Sequence, residues 1–417
     1  MPDFLKKLMR VLRAQHCNNT EKMVMKHIMV FLICVISLTA AATALDSEIV
    51  KIWNGDQIPK TADMPVLQNI TFNVIKPYEF DKDGYRFLHG VALAWHKGNL
   101  YASFGHNRGG ENTDTEEARV RVSENGGKTW SRTITMDSGD EPGLGVSHGV
   151  FLSHCGRLWA FHGAYSGTMT KVHARAYLLN EESGKWEYKG VVIEGGFWPL
   201  QEPLKMSDGN WIMSGISVGK GNPAAVAISH GEDFTKWDLV VIPKQPDLKM
   251  WGESGVFLDG RRIVNIARRD GAQPTVLVAS SGDYGRTWAE SKAGNLPMAA
   301  SKPYTGTLST GQHYMICSTT ADGGNRRSPL TIAVTRPGET VFSKIYVIRH
   351  ARFPEGPGES HEKVALSYPY AVEHENKLYV GYSNSGGGIG RKGQGRELWN
   401  NNSAELAIIP VSMLVVP

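Results

Sequence analysis

Apolar residues along this chain form short runs that alternate with polar positions, and turns rich in Gly, Asn or Asp separate the runs. One arrangement recurs: a polar start, an apolar run, a short polar turn, a second apolar run and a polar end. Examples are "HGVALAWHKGNLYASFGHN" and "HGVFLSHCGRLWAFHGAY". Such a pair of runs predicts a β-hairpin. Six hairpins of this kind begin at His89, His148, Gln201, Glu253, Ser301 and Ser367.

A second pattern lies between the hairpins and keeps the same phase. It is a turn that ends in an aromatic residue, and these aromatics are Trp130, Trp186, Trp237, Trp288 and Phe342. Four strands repeated about every 50 residues are typical of a β-propeller blade, and no long stretch of helical periodicity interrupts the series. We therefore predict an all-β fold, a six-bladed β-propeller of four-stranded antiparallel blades. Seven blades are the alternative, because the wider interval before Ser367 leaves room for irregular structure.

The segment 66–77, "VLQNITFNVIKP", has no hairpin of its own. We expect it to supply an outer strand to the last blade, beside the C-terminal "AELAIIPVSML", and so to close the ring. The turns "SENGGKTW" (123–130) and "SSGDYGRTW" (280–288) share one design. Serine, Asp or Asn, and glycine predict a tight turn held by side chain to backbone hydrogen bonds, with the tryptophan packed into the blade.

Composition and charge limit the classes of ligand that the chain is expected to bind. The chain has 417 residues, is 41% hydrophobic and carries a formal net charge of +4 without a basic block. This argues against a nucleic acid partner and is compatible with a small acidic substrate. Cys155 and Cys317 lie far apart, and no residues near them have metal-ligand spacing. No cofactor is required, and a structural cation is allowed but not indicated.

The N-terminus has the layout of a secretory signal. Lys26 precedes an apolar run from Ile28 to about Thr39, and small residues lead to Ala44. We expect cleavage after Ala44, with residues 1–22 as an extension before the signal or with Met23 or Met25 as the start. The apolar run is short for a membrane span. We therefore predict a secreted or periplasmic protein with no membrane span in the mature chain, in which residues 45–417 form a single propeller domain.

The two tryptophan turns resemble the Asp-box, or BNR, repeats of the sialidase superfamily. Other segments are similar to sialidase blades in the family's order, and the similarity covers nearly all of the mature chain. "YRFLHGVALAW" resembles the first blade, and "ESGVFLDGRRIVNIARRDG" resembles the blade that supplies a glutamate and an arginine. "NRRSPLTIAVT" resembles a blade bearing another arginine, and "SYPYAVEHENKLYVGYS" the last blade, which supplies a tyrosine.

The resemblance implies three arginines that clamp a substrate carboxylate. They correspond to Arg86, Arg268 and Arg327, with Arg269 and Arg326 as adjacent alternatives. The chemistry fits, because guanidinium groups bind a carboxylate bidentately and so select an acidic sugar.

The resemblance also implies a tyrosine nucleophile, Tyr368, with Glu253 as its acidic partner. Asp114 corresponds to the acid/base, with Glu111 and Glu117 as alternatives. When the substrate carboxylate sits on the reacting carbon, a carboxylate nucleophile would be repelled, whereas a neutral tyrosine deprotonated by a glutamate avoids that repulsion.

Histidines indicate a second chemistry. His89 and His148 stand at the starts of predicted inner strands, His106 and His162 stand near the ends of their partner strands, and Tyr165 lies on the same ring by this count. The set resembles propeller lyases and hydrolases that act on rhamnose–uronate linkages in ulvan or arabinogalactan-type glycans. In that resemblance histidine, tyrosine and arginine neutralise a uronate and move protons.

Three functions follow from these patterns. The first is a secreted, sialidase-like exo-glycoside hydrolase that releases a terminal acidic sugar from a glycan. The second is a histidine- and tyrosine-dependent lyase or hydrolase on a uronate-containing polysaccharide. The third is a non-catalytic, glycan-binding propeller. In the first two the partner is a glycan or polysaccharide with an acidic sugar.

Overall fold

Short runs of alternating or wholly apolar residues fold as antiparallel strands in the computed structural model, which describes residues 49–55, 57–271, 274–385 and 402–416. The described strands form six sheets. The strands that precede the third sheet are Thr71–Lys76 (β1), Phe87–His96 (β2), Asn99–Asn107 (β3), Glu116–Ser123 (β4), Ile134–Asp137 (β5), Leu144–His154 (β6), Arg157–Ser166 (β7), Thr170–Asn180 (β8) and Lys185–Ile193 (β9).

The third and fourth sheets consist of Phe197–Pro199 (β10), Leu204–Lys205 (β11), Trp211–Ser217 (β12), Ala224–His230 (β13), Asp233–Val241 (β14), Met250–Asp259 (β15), Arg262–Arg269 (β16), Thr275–Ser281 (β17) and Lys292–Pro297 (β18). The remaining strands are Tyr304–Thr307 (β19), His313–Cys317 (β20), Leu330–Thr335 (β21), Phe342–Arg349 (β22), Leu366–His374 (β23), Lys377–Asn384 (β24) and Ser403–Pro410 (β25). Three single helical turns, Thr61–Asp63, Phe80–Asp83 and Val411–Leu414, complete the regular structure of the described residues.

The six sheets are the blades of a six-bladed β-propeller, as predicted. Blades 1, 2, 4 and 5 each contain four strands in sequence order, β2–β5, β6–β9, β15–β18 and β19–β22. Blade 6 has the order β1-β25-β24-β23, so the segment before the first hairpin forms its outer strand. Thr71 pairs with Ile408 and Asn73 with Leu406. The predicted ring closure is therefore confirmed: β1 and β25, which lie far apart in the sequence, pair within one sheet.

Blade 3 departs from the four-stranded prediction. Its innermost strand is split, and β10 and β11 both pair with β12. Pro203 precedes β11, and proline cannot donate a ladder hydrogen bond. The intervening Gln201 is buried, and its side chain bonds to the backbone of Val256 and Thr305 in the next two blades. The interruption thus lets one side chain link three blades near the axis.

The tryptophan turns have the predicted structure. In the turn between β17 and β18, the Gly285 amide donates to Ser281 Oγ at 2.9 Å and the Thr287 amide donates to Asp283 Oδ1 at 2.9 Å. Gly285 has φ +80°, a conformation that favours glycine. Trp288 packs against the apolar core between blades 3 and 4. The same hydrogen bonds recur in the turn between β4 and β5.

The predicted signal, residues 1–44, lies outside the described residues. Among the residues that the structure does describe, no helix is long and apolar enough to cross a membrane.

Candidate active site

Four innermost strands break their pairing register at the same place. In β2 the shift lies between His89 and Ala92, and in β6 it lies just after Val146 and spans His148. In β15 it spans Glu253, and in β23 it spans Tyr368. A β-bulge re-aims the side chains that it contains. The bulges therefore turn one ionisable side chain from each of these blades toward a common point.

Tyr368 and Glu253 meet at that point. The phenolic hydroxyl of Tyr368 donates to Glu253 Oε1, and Arg268 Nη1 donates to Glu253 Oε2 at 3.0 Å. Arg268 Nε also donates to Asp270 Oδ1 at 3.1 Å. Tyr368 adopts φ +53°, a left-handed conformation that costs a non-glycine residue about 1–3 kcal/mol and is characteristic of functional sites. The surrounding structure holds the nucleophile candidate in a strained, defined position.

Two imidazoles pack around the same tyrosine. The His89 ring centroid lies 3.5 Å from that of Tyr368, and the His148 ring lies 5.5 Å from it. The two histidine rings are 5.4 Å apart. The guanidinium carbon of Arg327 lies 5.8 Å from the Tyr368 ring. Aromatic and cationic groups thus enclose the phenol.

Burial sets the protonation of these groups. It lowers the pKa of His89 and of His148 well below the usual range, because a charged imidazole would lose its hydration. Burial raises the pKa of Tyr368 well above its usual range. At neutral pH the site therefore holds two neutral imidazoles and a protonated phenol that donates to a carboxylate.

These side chains line a pocket of about 280 Å³. Its polar wall contains His89, Glu111, His148, Glu253, Arg268, Asp270, Arg327 and Tyr368, and its apolar wall contains Met169, Trp198, Leu200, Ile216, Val218 and Trp251. A second cavity of about 740 Å³ shares His89, Glu111 and Arg327 with the first. A pocket lined by charged and polar groups together with apolar side chains, two of them tryptophans, suits a ring-shaped polar ligand.

Glu111 is the pocket's candidate acid. Its Oε1 lies 4.0 Å from His89 Nε2. About half of its side-chain surface is open to the pocket, yet partial enclosure by protein still raises its pKa. Asp114 is exposed and lies outside the lining of both cavities, and Glu117 pairs with Arg119 at 3.1 Å. Of the three carboxylates considered from sequence, the structure places Glu111 at the pocket.

The arginines divide in a similar way. Arg268 and Arg327 line the pocket. Arg269 donates to Thr275 Oγ1 at 3.1 Å, and Arg326 lines only the second cavity. Arg86 lies outside both cavities, with its guanidinium 4.9 Å from the Phe80 ring. The structure therefore brings two of the three expected arginines together.

His106 and Tyr165 are buried beside the pocket rather than lining it. His106 pairs with Leu88 across the β2–β3 ladder and stacks on the Tyr85 ring at 4.1 Å. Residues paired across strands share a face of the sheet, and the neighbouring His89 faces the other way. The expectation that His106 shares the mouth of the channel with His89 is therefore wrong in geometry. Burial also lowers the pKa of His106 well below its usual range.

Tyr165 belongs to a buried chain of polar groups behind His148. Its hydroxyl donates to Glu116 Oε2 at 2.6 Å, and Ser147 Oγ donates to Glu116 Oε1 at 2.5 Å. Ser147 Oγ also lies 3.1 Å from His148 Nδ1. Burial raises the pKa of Glu116 to about 7. The Tyr165 hydroxyl thus contacts the site only indirectly, through the Glu116 carboxyl group and the Ser147 hydroxyl that lies next to His148.

Sequence reasoning missed Glu116, which stands in the acidic stretch "ENTDTEE". A local signal was present. Glu116, Ala118 and Val120 occupy alternate positions of β4, and all three are buried. The alternation of buried positions at Ala118 and Val120, continued two residues toward the N-terminus, would have placed Glu116 on the same buried face of the strand.

A group of side chains whose donor atoms are close enough to bind a metal ion lies away from the pocket. Among the described residues, His154, Cys155 and Glu232 bring three donor atoms within 4.8 Å of one another. They occupy the hairpin turns that close β6–β7 and β13–β14, outside the lining of the pocket, and Lys205 Nζ already lies 3.3 Å from Glu232 Oε1. In the pocket, Glu253 bonds to Tyr368 and Arg268, and Asp270 accepts from Arg268.

Comparison with known proteins agrees with this architecture. The sequence profile of the BNR repeat-like domain matches residues 98–380. No curated protein matches the chain in sequence. Among solved structures, a protein of unknown function from Dyadobacter fermentans is similar at a TM-score of 0.61 and 12% identity, covering 82% of this chain and 99% of that one.

Several sialidases share the fold. The Hadza microbial sialidase Hz136 is similar at a TM-score of 0.58 and 13% identity, covering 80% of this chain and 66% of its own. The Trypanosoma rangeli sialidase is similar at a TM-score of 0.58 and 12% identity, covering 87% of this chain and 61% of its own. The chain thus spans about two thirds of the length of the sialidases that it matches.

Proposed function

We propose, from the premise that this chain belongs to the family of BNR repeat-like domains, that its pocket is a glycosidase site for a terminal acidic sugar. The observation that carries the proposal is the hydrogen bond from Tyr368 to Glu253 inside a pocket that also contains Arg268 and Arg327. A protonated phenol and its proton acceptor supply the nucleophile, and two guanidinium groups can bind the sugar carboxylate.

In the proposed reaction Arg268 and Arg327 bind the sugar carboxylate. Tyr368 Oη attacks the anomeric carbon while its proton passes to Glu253. Glu111 gives a proton to the departing glycosidic oxygen, a role that a raised pKa favours. Water then displaces the tyrosine from the sugar, with Glu111 accepting the proton of the water and Tyr368 recovering its own from Glu253.

The test is hydrolysis of a fluorogenic sialoside by the purified protein and by Tyr368→Phe. We expect the variant to lose at least about 1000-fold in kcat, because it removes the nucleophilic oxygen and leaves the ring packing in place. Tyr188→Phe is the matched control, since Tyr188 lies on the surface of blade 2 and outside the pocket. Full activity of Tyr368→Phe would refute the assignment.

A second candidate rests on a different observation. Two neutral imidazoles, His89 and His148, line the same pocket as the tyrosine. Neutral imidazole can accept the proton next to a uronate carboxylate. A rise in absorbance from an unsaturated uronate, on incubation with ulvan or gum arabic, would favour this lyase. His148→Ala would then abolish turnover. Binding of these glycans without turnover would favour a non-catalytic propeller.

We also propose that the protein is exported, on the strength of the signal-like residues 23–44. N-terminal sequencing of protein recovered from the medium or the periplasm should begin at Leu45. Recovery of the intact N-terminus from the cytoplasm alone would contradict export.

A further inference from the structure

Each of the six blades contributes one ionisable side chain at the same point of the repeat. Aligning the starts of the inner segments, "HGV", "HGV", "EPL", "ESG", "KPY" and "YPY", superposes these residues. The six are His89, His148, Glu202, Glu253, Lys302 and Tyr368. Four of them line the pocket, and the proposed reaction gives no role to Glu202 or to Lys302.

Lys302 has an unusual environment for a lysine. It is only 3% exposed, and no carboxylate of the described residues lies within 4.0 Å of its ammonium group. Nζ donates to the carbonyl oxygen of Pro369 at 2.7 Å. It also lies 5.3 Å from the Tyr304 ring centroid and 5.9 Å from that of Tyr370. A backbone carbonyl and two aromatic faces take the place of water.

This arrangement costs stability. Burying an ammonium group without an ion pair is unfavourable, and burial lowers the pKa of Lys302 to about 8. A methionine of similar volume would avoid the cost. The placement of the contact suggests what the lysine supplies. Pro369 follows Tyr368 directly, so the lysine holds the peptide next to the left-handed residue that carries the nucleophilic hydroxyl.

We propose that Lys302 is a positioning residue for the Tyr368–Glu253 pair, which fixes the bulge through the Pro369 carbonyl and places a buried positive charge next to the site. The inference rests on the proposed function for its activity readouts, although the positioning contact can be tested without turnover.

The groups that face Lys302 come from every element packed around it. They are His89, His148, Glu202, Glu253, Tyr304, Cys317, Pro369 and Tyr370. The lysine charge contributes to the lowered pKa of His89 and of His148, after their burial. Without that charge the imidazoles should accept a proton at a higher pH. Because the His89 ring packs against the Tyr368 ring, its protonation would disturb the Tyr368–Glu253 pair. The acid limb of the kcat/KM profile should therefore move to higher pH in a variant that lacks the lysine charge.

The experiment compares Lys302→Met with the wild type. We expect kcat to fall by about 100-fold with KM changed far less, since a misplaced nucleophile affects the chemical step. The acid limb should shift upward, and the melting temperature should stay equal or rise. Lys344→Met is the matched control, because Lys344 is exposed and lies 5.2 Å from the Tyr346 ring in a similar cation–π contact. If Lys302 had a merely structural role, its replacement would lower the melting temperature and leave the pH profile of the folded fraction unchanged.

Several results would overturn the proposal. One is a Lys302→Met variant whose kcat and pH profile match those of Lys344→Met. If Lys302→Met does not fold, Lys302→Gln, which keeps a donor without the charge, takes its place. If neither folds, the wild-type profile decides, because kcat/KM should fall as pH rises through about 8, where Lys302 loses its proton. A wild-type profile that is level through that pH would also contradict the proposal.

A failure of the proposed glycosidase function can be distinguished from a failure of the Lys302 proposal. In that case the wild type turns over neither sialosides nor uronate polysaccharides. Crystal structures of the wild type and Lys302→Met then test the positioning contact alone. We expect Tyr368 to leave the left-handed conformation and to lose its hydrogen bond to Glu253 in the variant. An unchanged Tyr368 would overturn the inference whatever the substrate.

Discussion

Glu116 offers a direct test of how burial controls charge at this site. The carboxyl group accepts hydrogen bonds from Ser147 and Tyr165, and the residue is 1% exposed. Burial raises its pKa from 4.5 to about 7. A difference of that size corresponds to about 3 kcal/mol between the protonated and ionised forms. Glu116→Gln mimics the protonated form, because its amide can accept from one hydroxyl and donate to the other.

The sign follows from proton binding. The folded state binds the proton more tightly than the unfolded state, so the stability that protonated Glu116 contributes is fully present below about pH 4.5 and is lost as pH rises through about 7. Glutamine does not titrate. The difference in free energy of unfolding, Glu116→Gln minus wild type, should therefore increase by about 3 kcal/mol between about pH 4 and about pH 8. Any constant effect of the substitution cancels in this comparison.

Urea denaturation at the two pH values measures the difference. Glu124→Gln, which removes an exposed carboxylate from the turn after β4, is the control. Its free energy difference from wild type should change by less than about 0.5 kcal/mol over the same range. A Glu116→Gln difference that stays equal at both pH values would refute the reasoning that burial, rather than local hydrogen bonding, controls this carboxyl group.

Three further results are expected. Gly90→Ala should lower kcat/KM of the folded protein by about 10- to 100-fold and should also lower the melting temperature, because Gly90 has positive φ and a Cβ there would lie 2.2 Å from the buried His148 ring; an unchanged kcat/KM would contradict this. Gly285→Ala should lower the free energy of unfolding by about 1–3 kcal/mol, and more than Gly260→Ala, which has a similar φ but open space around it; urea denaturation that ranks the two in the opposite order would refute the packing argument. Arg86→Ala should leave sialoside kcat/KM within about twofold, whereas Arg268→Ala should lower it by at least about 100-fold; equal losses would mean that both arginines contact substrate.

Much of the fold was predictable because its signals are local. Alternation of apolar positions indicates a strand, and the turn built by Ser281, Asp283 and Gly285 forms within nine residues. Repetition of the unit then implies a propeller, because one blade cannot bury its faces alone. The exception was the split inner strand of blade 3, where Pro203 weakens the ladder and Gln201 finds partners only in other blades.

The site was predictable only in part. The resemblance named Tyr368, Glu253 and Arg268 together, and the structure joins them by hydrogen bonds. It also named Arg86, which lies outside both cavities and stands one residue out of alternation with Phe87 and His89, and the count of strand ends placed His106 at the pocket, where it does not lie. That offset is visible in the sequence once His89 is assigned to the pocket.

What the sequence by itself determined is the blade, its turns and their number, since hydrogen bonding and face alternation depend on neighbouring residues. The tertiary structure alone decided which side chains meet. Bulges interrupt the alternation just after His89 and at His148, Glu253 and Tyr368, so counting along a strand fails at these positions. Packing in the ring then buries Lys302 and Glu116 next to the site, and burial shifts the pKa of each.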